Sequence, residues 1–360
     1  RLGQRFAGQR VEKWQWPLAK PMFCFLLVAL LSSLFSPWRG ESLKYFIRII
    51  LFVYLLYIVL PVNALEAWRD WRWPFYGTLI AGVGSGIVGI MSLFGQDWSN
   101  SFFRVQPIAI FGHWWMGSNH NLLAEFLVIT NFFLLAWGYW QKDERWRRFT
   151  QVLFVFFSLI TLLTFSRAAW LVIAVQLVGA WLLLTKPRKR VGWLLGGLLL
   201  ILLSVPLWVK MGQLQEANFS STANHILLTE IAWQSLQQRP IIGWGSGQFL
   251  TLVDHNLRFR AKYGDPIDSH GIIQKVMAEN GSLGLVALVA VAVSLFILWG
   301  KAWQKYGRQN LWLGCLILGA GGGLLFQLFN TSYYKGKVWL PVALSLTAIK
   351  LLENETAKKR

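Results

Sequence analysis

Apolar residues fall in long, nearly uninterrupted runs along the chain, divided by short basic or turn-rich stretches. A bilayer-spanning helix needs about 20 such residues, because lipid offers backbone amides no partner and each segment must satisfy its own. The runs predict an all-α polytopic membrane protein with about ten transmembrane helices. They lie at 19–36, 45–62, 74–95, 122–140, 151–166, 168–185, 191–209, 272–300, 309–329 and 338–352. Trp137, Trp140, Trp193, Trp208, Trp299, Trp312 and Trp339 fall near span ends, where an interfacial aromatic belt sits.

Composition agrees: 55% of residues are hydrophobic and only 14% charged, too little charge to cover a soluble surface of this size. The net charge of +19 does not indicate a nucleic-acid partner, because the Lys and Arg residues are clustered between apolar runs. Arg1–Lys20, Arg69 and Arg72, Lys142–Arg148, Lys186–Arg190, Lys301–Arg308 and Lys358–Arg360 all fall on one side, which the positive-inside bias places in the cytoplasm with both termini. Residues 1–209 then carry transmembrane helices 1–7 with an outer loop at 96–121. Residues 210–271 form a large, partly helical periplasmic loop, and 272–360 carry transmembrane helices 8–10 and a basic cytoplasmic tail. The chain opens in a basic stretch without Met, and one or more N-terminal helices of a longer protein are expected to precede it. Cys24 and Cys315 lie inside predicted spans, so neither a disulfide framework nor a metal site is expected.

All five histidines, His113, His120, His225, His255 and His270, fall in the two outer loops. A transporter is expected to hold its ionisable groups near the bilayer midplane instead. Arg167 occupies a hinge between two apolar runs at the outer edge. There it either binds phosphate or snorkels to lipid headgroups. His270 opens a helical run with Gln274 one turn on, and its imidazole suits a general base near neutral pH, unless it is merely solvated. Lys275 and Glu279 are spaced for a structural ion pair. Arg258, Arg260 and Lys262 read as solvated loop charge or as phosphate ligands, as do Lys335 and Lys337. Arg48 and Glu125 lie about one turn inside predicted spans. No P-loop, HExxH or paired CxxC motif occurs, so neither nucleotide nor metal cofactor is expected. Gly319–Gly323 reads as close helix packing.

Four stretches in this order resemble the O-antigen ligase/polymerase family of bacterial membrane glycosyltransferases. They are Asn119–Ala124, which includes Asn121, then Ser166–Trp170, the Arg239–Gly245 turn, and His270 followed by Glu279-Asn280-Gly281. The resemblance implies a GT-C-like membrane fold. It implies metal-independent transfer of a glycan from an undecaprenyl-pyrophosphate carrier to a glycan, glycolipid or protein hydroxyl, with the active site on the periplasmic face of the inner membrane. It also implies that Arg167 holds the pyrophosphate and that His270 acts on the acceptor. The chain departs from the family where an Arg is usual and His225 stands. A second phosphate-binding cation is then a protonated His225, or comes from Arg258, Arg260 or Lys335. The alternatives are a small-solute or anion transporter of the bicarbonate type and a non-catalytic lipid-linked-glycan binding protein. The topology has a direct check. In a background lacking Cys24 and Cys315, labelling from outside should modify Ser246→Cys and spare Thr185→Cys, and the reverse pattern overturns the orientation.

Overall fold

The computed structural model describes residues 14–96, 104–114, 119–141, 143–184, 215–333 and 335–358, with 215–222 described as backbone helix only. Among these residues the chain is all-helical, with one isolated bridge between Ile110 and His113. Five helices are long and apolar enough to cross a membrane: α2 (Arg39–Ala64), α3 (Trp68–Phe94), α4 (His120–Trp140), α6 (Arg167–Leu184) and α10 (Ile272–Gly307). Two apolar helices are shorter, α1 (Ala19–Leu34) and α11 (Leu311–Phe326). The expected spans at 151–166 and 338–352 are helices too, within α5 (Glu144–Leu162) and α12 (Gly336–Lys358). Both carry several charges, among them Arg145, Arg147 and Arg148 in α5 and Lys337, Lys350 and Glu353 in α12, which removes them from the count made on apolarity alone. The expected span at 191–209 lies outside the described residues. Among the described residues the protein is therefore an all-helical membrane protein with five evident spans, against about ten expected for the whole chain.

The helices sort the polar segments to two ends of the bundle. At one end, called here the tail end, Trp68 donates its indole N–H to Glu355 and Lys350 caps the Val62 carbonyl at 2.8 Å. Trp71, Trp140 and Trp312 pack there in an aromatic cluster, with the Trp71 and Trp140 rings 4.7 Å apart. At the other, the loop end, Val105 N–H bonds the Leu163 carbonyl and Ser269 meets Thr331. The glycines of α11 allow close packing midway between. A Cβ on Gly319 would lie 2.9 Å from the Ile129 carbonyl oxygen of α4, and one on Gly322 would strike Gln176 of α6. Gln176 in turn donates to the Val128 and Leu318 carbonyls at 2.9 Å, a polar tie where lipid supplies none.

The 210–271 loop holds three helices, α7 (Gln215–Gln238), α8 (Phe249–Asp254) and α9 (Leu257–Tyr263), around its own small apolar core of Leu228, Ile231, Phe249 and Phe259. Its Pro240–Gly247 turn packs into the transmembrane bundle because α10 is broken at Gly281 (φ 66°, ψ −160°). The break frees backbone groups that membrane burial makes costly to leave unpaired. The turn satisfies them: the N–H groups of Trp244 and Gly245 donate to the carbonyls of Ala278 and Glu279, and the carbonyls of Pro240 and Ile241 accept from Ser282 and Leu283. Ser32 and Ser36 of the α1 end add bonds to the Glu279 and Trp244 carbonyls, and Ser42 to that of Ser246.

This docking corrects the labelling test, because Ser246 is fully buried between α1 and α10. Asp265, with a fully exposed side chain, is the position to convert to Cys at the loop end. Arg145, exposed near the start of α5, replaces Thr185, which lies outside the described residues. The break makes its own prediction. A Cβ at Gly281 would sit 2.5 Å from the Ile241 carbonyl oxygen on a left-handed backbone. Gly281→Ala should lower the melting temperature of the purified protein by several degrees, consistent with about 1–3 kcal/mol of backbone strain. An unchanged transition would show that the turn is not fixed against the break.

Candidate active site

The first turns of α10 hang from two sides. The Ser269 and Thr331 hydroxyls lie 2.9 Å apart, and Ile272 N–H donates to the Gln327 carbonyl at 2.8 Å, so the segment around His270 is sewn to the chain leaving α11. Lys275, buried at the loop end, forks onto both Asp268 oxygens at 2.7 and 2.9 Å and lies 3.3 Å from Glu279. Glu279 also accepts the Phe249 N–H at 3.0 Å, tying α10 to the first turn of α8. The i, i+4 pair read from sequence is present, but the tighter partner of Lys275 is Asp268. The chain reverses before α10, and spacing along a helix cannot register that contact.

Opposite this ion cluster, α7 lies along α10. The rings of His225 and His270 stack with centroids 4.0 Å apart and planes 27° from parallel. A short relay holds the two helices in this register. His270 N–H donates to the Gln274 amide oxygen at 3.2 Å, the Gln274 amide donates to Thr229 at 2.5 Å, and Thr229 donates to the His225 carbonyl at 2.8 Å.

Arg167 is the first residue of α6. Phe165 in a left-handed conformation (φ 54°) turns the chain between α5 and α6, and Ser166 accepts the Ala169 N–H at the helix start. The Trp170 indole bonds back to the Leu162 carbonyl at 2.9 Å, closing the hairpin. The Arg167 side chain is exposed and meets no carboxylate among the described residues, yet its charge acts on His225. Burial, then His270, then Arg167 push the His225 pKa down to about 4. Burial also lowers His270, against an opposing pull from Asp268. Burial thus disfavours the charged form of both rings.

The remaining candidates lie apart from this group. Arg258 pairs with Glu230 at 2.9 Å, and Arg260 lies 3.6 Å from Asp254 and 3.2 Å from Asp265, all on the exposed loop surface. Lys335 follows the segment after α11, its N–H donating to Ser332 and its charge opposing that of Lys337. Lys337 is paired with the buried Glu125, which also accepts from Gln327 and Asn330, so that two separate candidates form one structural tie. Asn121 sits in the first turn of α4, its N–H held by the Asn119 side chain at 2.6 Å. Arg48 lies exposed in α2, within its apolar span. Asp268 and Thr229 were missed. Thr229 has a signal, one turn past His225 on the same helical face.

His225 and His270 come from separated stretches and stack at one end of a membrane bundle, within reach of the Arg167 charge. Residues 152–289 match the family model described as O-antigen ligase. The match covers part of the chain, and the matched segment contains all three residues. No curated protein matches the chain.

The ion cluster generates a stability prediction. Lys275→Met leaves Glu279 charged and buried without its cation, which typically costs about 3–5 kcal/mol. The double change Lys275→Met with Glu279→Gln should recover much of that loss in thermal unfolding. No recovery would show that the pair is not what Lys275 stabilises.

Proposed function

We propose that the protein moves a glycan from an undecaprenyl-pyrophosphate carrier to an acceptor hydroxyl on the periplasmic face of the bacterial inner membrane, without metal or nucleotide. The observation that carries this reading is the convergence of Arg167 with the stacked His225–His270 pair at the loop end. The match to the O-antigen ligase family supports it. The His225–His270 pair lies at the loop end of the bundle rather than at mid-depth, which does not favour a transporter.

Arg167 holds the donor pyrophosphate through the charge-assisted fork that guanidinium offers to phosphate oxygens. The acceptor hydroxyl oxygen attacks the anomeric carbon, the bond from that carbon to the pyrophosphate oxygen breaks, and its electron pair leaves with the pyrophosphate. His270, neutral at the start, takes the hydroxyl proton. The pyrophosphate charge developing in the transition state is neutralised by Arg167. His225 is neutral when the site is empty, but an adjacent pyrophosphate reverses the local field and raises its pKa. Donor binding then carries a proton onto His225 and supplies the second cation. Gln274 keeps the two rings aligned, and Lys275 with Glu279 fixes the segment that presents His270. Arg258 and Arg260, engaged by loop carboxylates, fall outside this centre.

Each charged hydrogen bond contributes roughly 1.5–3 kcal/mol, so Arg167→Lys should slow transfer ten- to a hundredfold or more with normal membrane insertion. Near wild-type transfer by Arg167→Ala in a purified assay would remove the phosphate role. His270→Ala should abolish transfer while donor binding survives. The pH dependence follows from the low pKa of free His225: the gain in donor affinity should be fully present only below the free pKa of about 4, shrink as pH rises above it, and be lost once pH passes the raised pKa of the bound form. His225→Arg should remove that fall by making the cation permanent. Donor affinity that is flat with pH in the wild type would take His225 out of the site.

A further inference from the structure

Away from the histidine stack, the loop end carries a strip of three rings. Trp244 of the docked turn lies 6.1 Å from Trp38, the residue before α2, and Trp38 lies 5.8 Å from His255 at the end of α8. Successive planes are tilted by 35° and 42°, so the strip is curved and its rings do not cover one another as a packed stack would. Both indoles are half-buried and His255 is exposed. The aromatic cluster at the tail end differs in kind, because Trp71 there is fully buried with Phe75 stacked on it.

Backbone and side-chain bonds hold the strip in shape. The Ser36 hydroxyl donates to the Trp244 carbonyl at 2.7 Å and accepts the Trp38 N–H at 3.1 Å, so one side chain sets both residues. The Trp244 indole N–H donates to the Ser235 carbonyl of α7 at 3.0 Å. The Arg239 guanidinium lies 4.5 Å from the centre of the Trp244 ring and donates to the Phe35 carbonyl at 3.2 Å. Rings fixed in this way give up little freedom when a ligand rests on them.

Flat faces edged with charge suit a sugar. A pyranose lays C–H groups against the electron-rich face of an indole and turns its hydroxyls outward, where they need donors and acceptors. Arg239 flanks Trp244, and Arg39 and Asp254, each next in the chain to a ring of the strip, are exposed. A hydrocarbon chain laid there would desolvate those polar groups without pairing them. The strip also stands at a set distance from the reacting groups. Ser235, which holds Trp244, lies ten residues along α7 from His225, about 15 Å at the rise of a helix. A sugar on the strip is therefore not the one whose anomeric carbon reacts, but a unit further along a glycan.

Resting on the function proposed above, we propose that Trp38, Trp244 and His255 form a saccharide subsite that holds a sugar unit remote from the bond being made. The subsite favours glycans long enough to reach from the His225–His270 stack to the strip over a single sugar.

The test uses the purified full chain in nanodiscs and lipid-linked donors extracted from the source cells, one carrying the whole glycan and one trimmed to its first sugar. Trp38→Ala should raise the KM of the whole-glycan donor at least about fivefold, as loss of an aromatic anchor does. It should leave the KM of the trimmed donor, and kcat for both, unchanged. Trp38→Leu keeps apolar bulk without a flat ring and should behave like Trp38→Ala, whereas Trp38→Tyr should keep most of the affinity. Should the Trp38 variants fail to fold, His255→Ala at the exposed end of the strip should give a rise of the same length-dependent kind. A length-dependent rise in acceptor KM, with both donors unaffected, supports the subsite and assigns it to the acceptor glycan. Equal rises for long and short substrates report a structural role and overturn the proposal, as does no rise for any. Failure of the wild type to transfer glycan would count against the enzyme reading alone. Saturation-transfer NMR with oligosaccharides released from the cell surface by mild acid then decides the subsite: binding lost in Trp38→Ala supports it, and binding unchanged overturns it.

Discussion

A helix broken inside a membrane protein leaves amides and carbonyls that lipid cannot satisfy, and the architecture here is organised around one such break. At Gly281 the carbonyls of Ala278 and Glu279 and the amides of Ser282 and Leu283 are all taken up by the Pro240–Gly245 turn. This bonding holds the large loop that precedes α10 against the bundle at a fixed height. It lays α7 along the first turns of α10, and the Thr229–Gln274 relay then sets the histidine stack. The break also orients the first turns of α10, where Lys275 is held between Asp268 and Glu279. Site geometry thus descends from backbone hydrogen bonding, with side-chain chemistry placed on top of it.

That hierarchy explains what could be read directly from the chain. Spans were legible wherever helix and apolarity coincide, as in α2, α3, α4, α6 and α10, because burial in lipid leaves its mark on every residue of a run. Where a helix carries charge for a local reason, as α12 does with Lys337 bonded to Glu125 and Lys350 to the Val62 carbonyl, the apolar signal is weaker although the helix is present. Arg167 and His270 were legible as isolated chemistry at an end of the bundle. Their company was not. The stack on His225 depends on the register of two helices distant in sequence, and the Asp268–Lys275 bond depends on a chain reversal.

The Pro240–Gly247 turn is the clearest instance of partial legibility. Its glycines are visible, as is the Asn280-Gly281 pair, but donors and acceptors on a backbone look alike in every sequence. Only the structure joins Gly243, with φ at 69° and the Glu279 backbone against its α-carbon, to the break it fills. Two stretches that seemed independent marks of one family are halves of a single contact. That accounts for their joint occurrence here without any catalytic role for the turn.

The order of the two halves along the chain bears on how the protein is made. Synthesis runs from the N-terminus, so the Pro240–Gly245 turn emerges before Gly281. When the second half of α10 enters the bilayer, the carbonyls that its freed amides need have already been made. The reverse order would leave an unfilled break exposed to lipid until the loop was completed. Placing the filling segment upstream of the gap lets a discontinuous helix assemble without an interval of unpaired backbone.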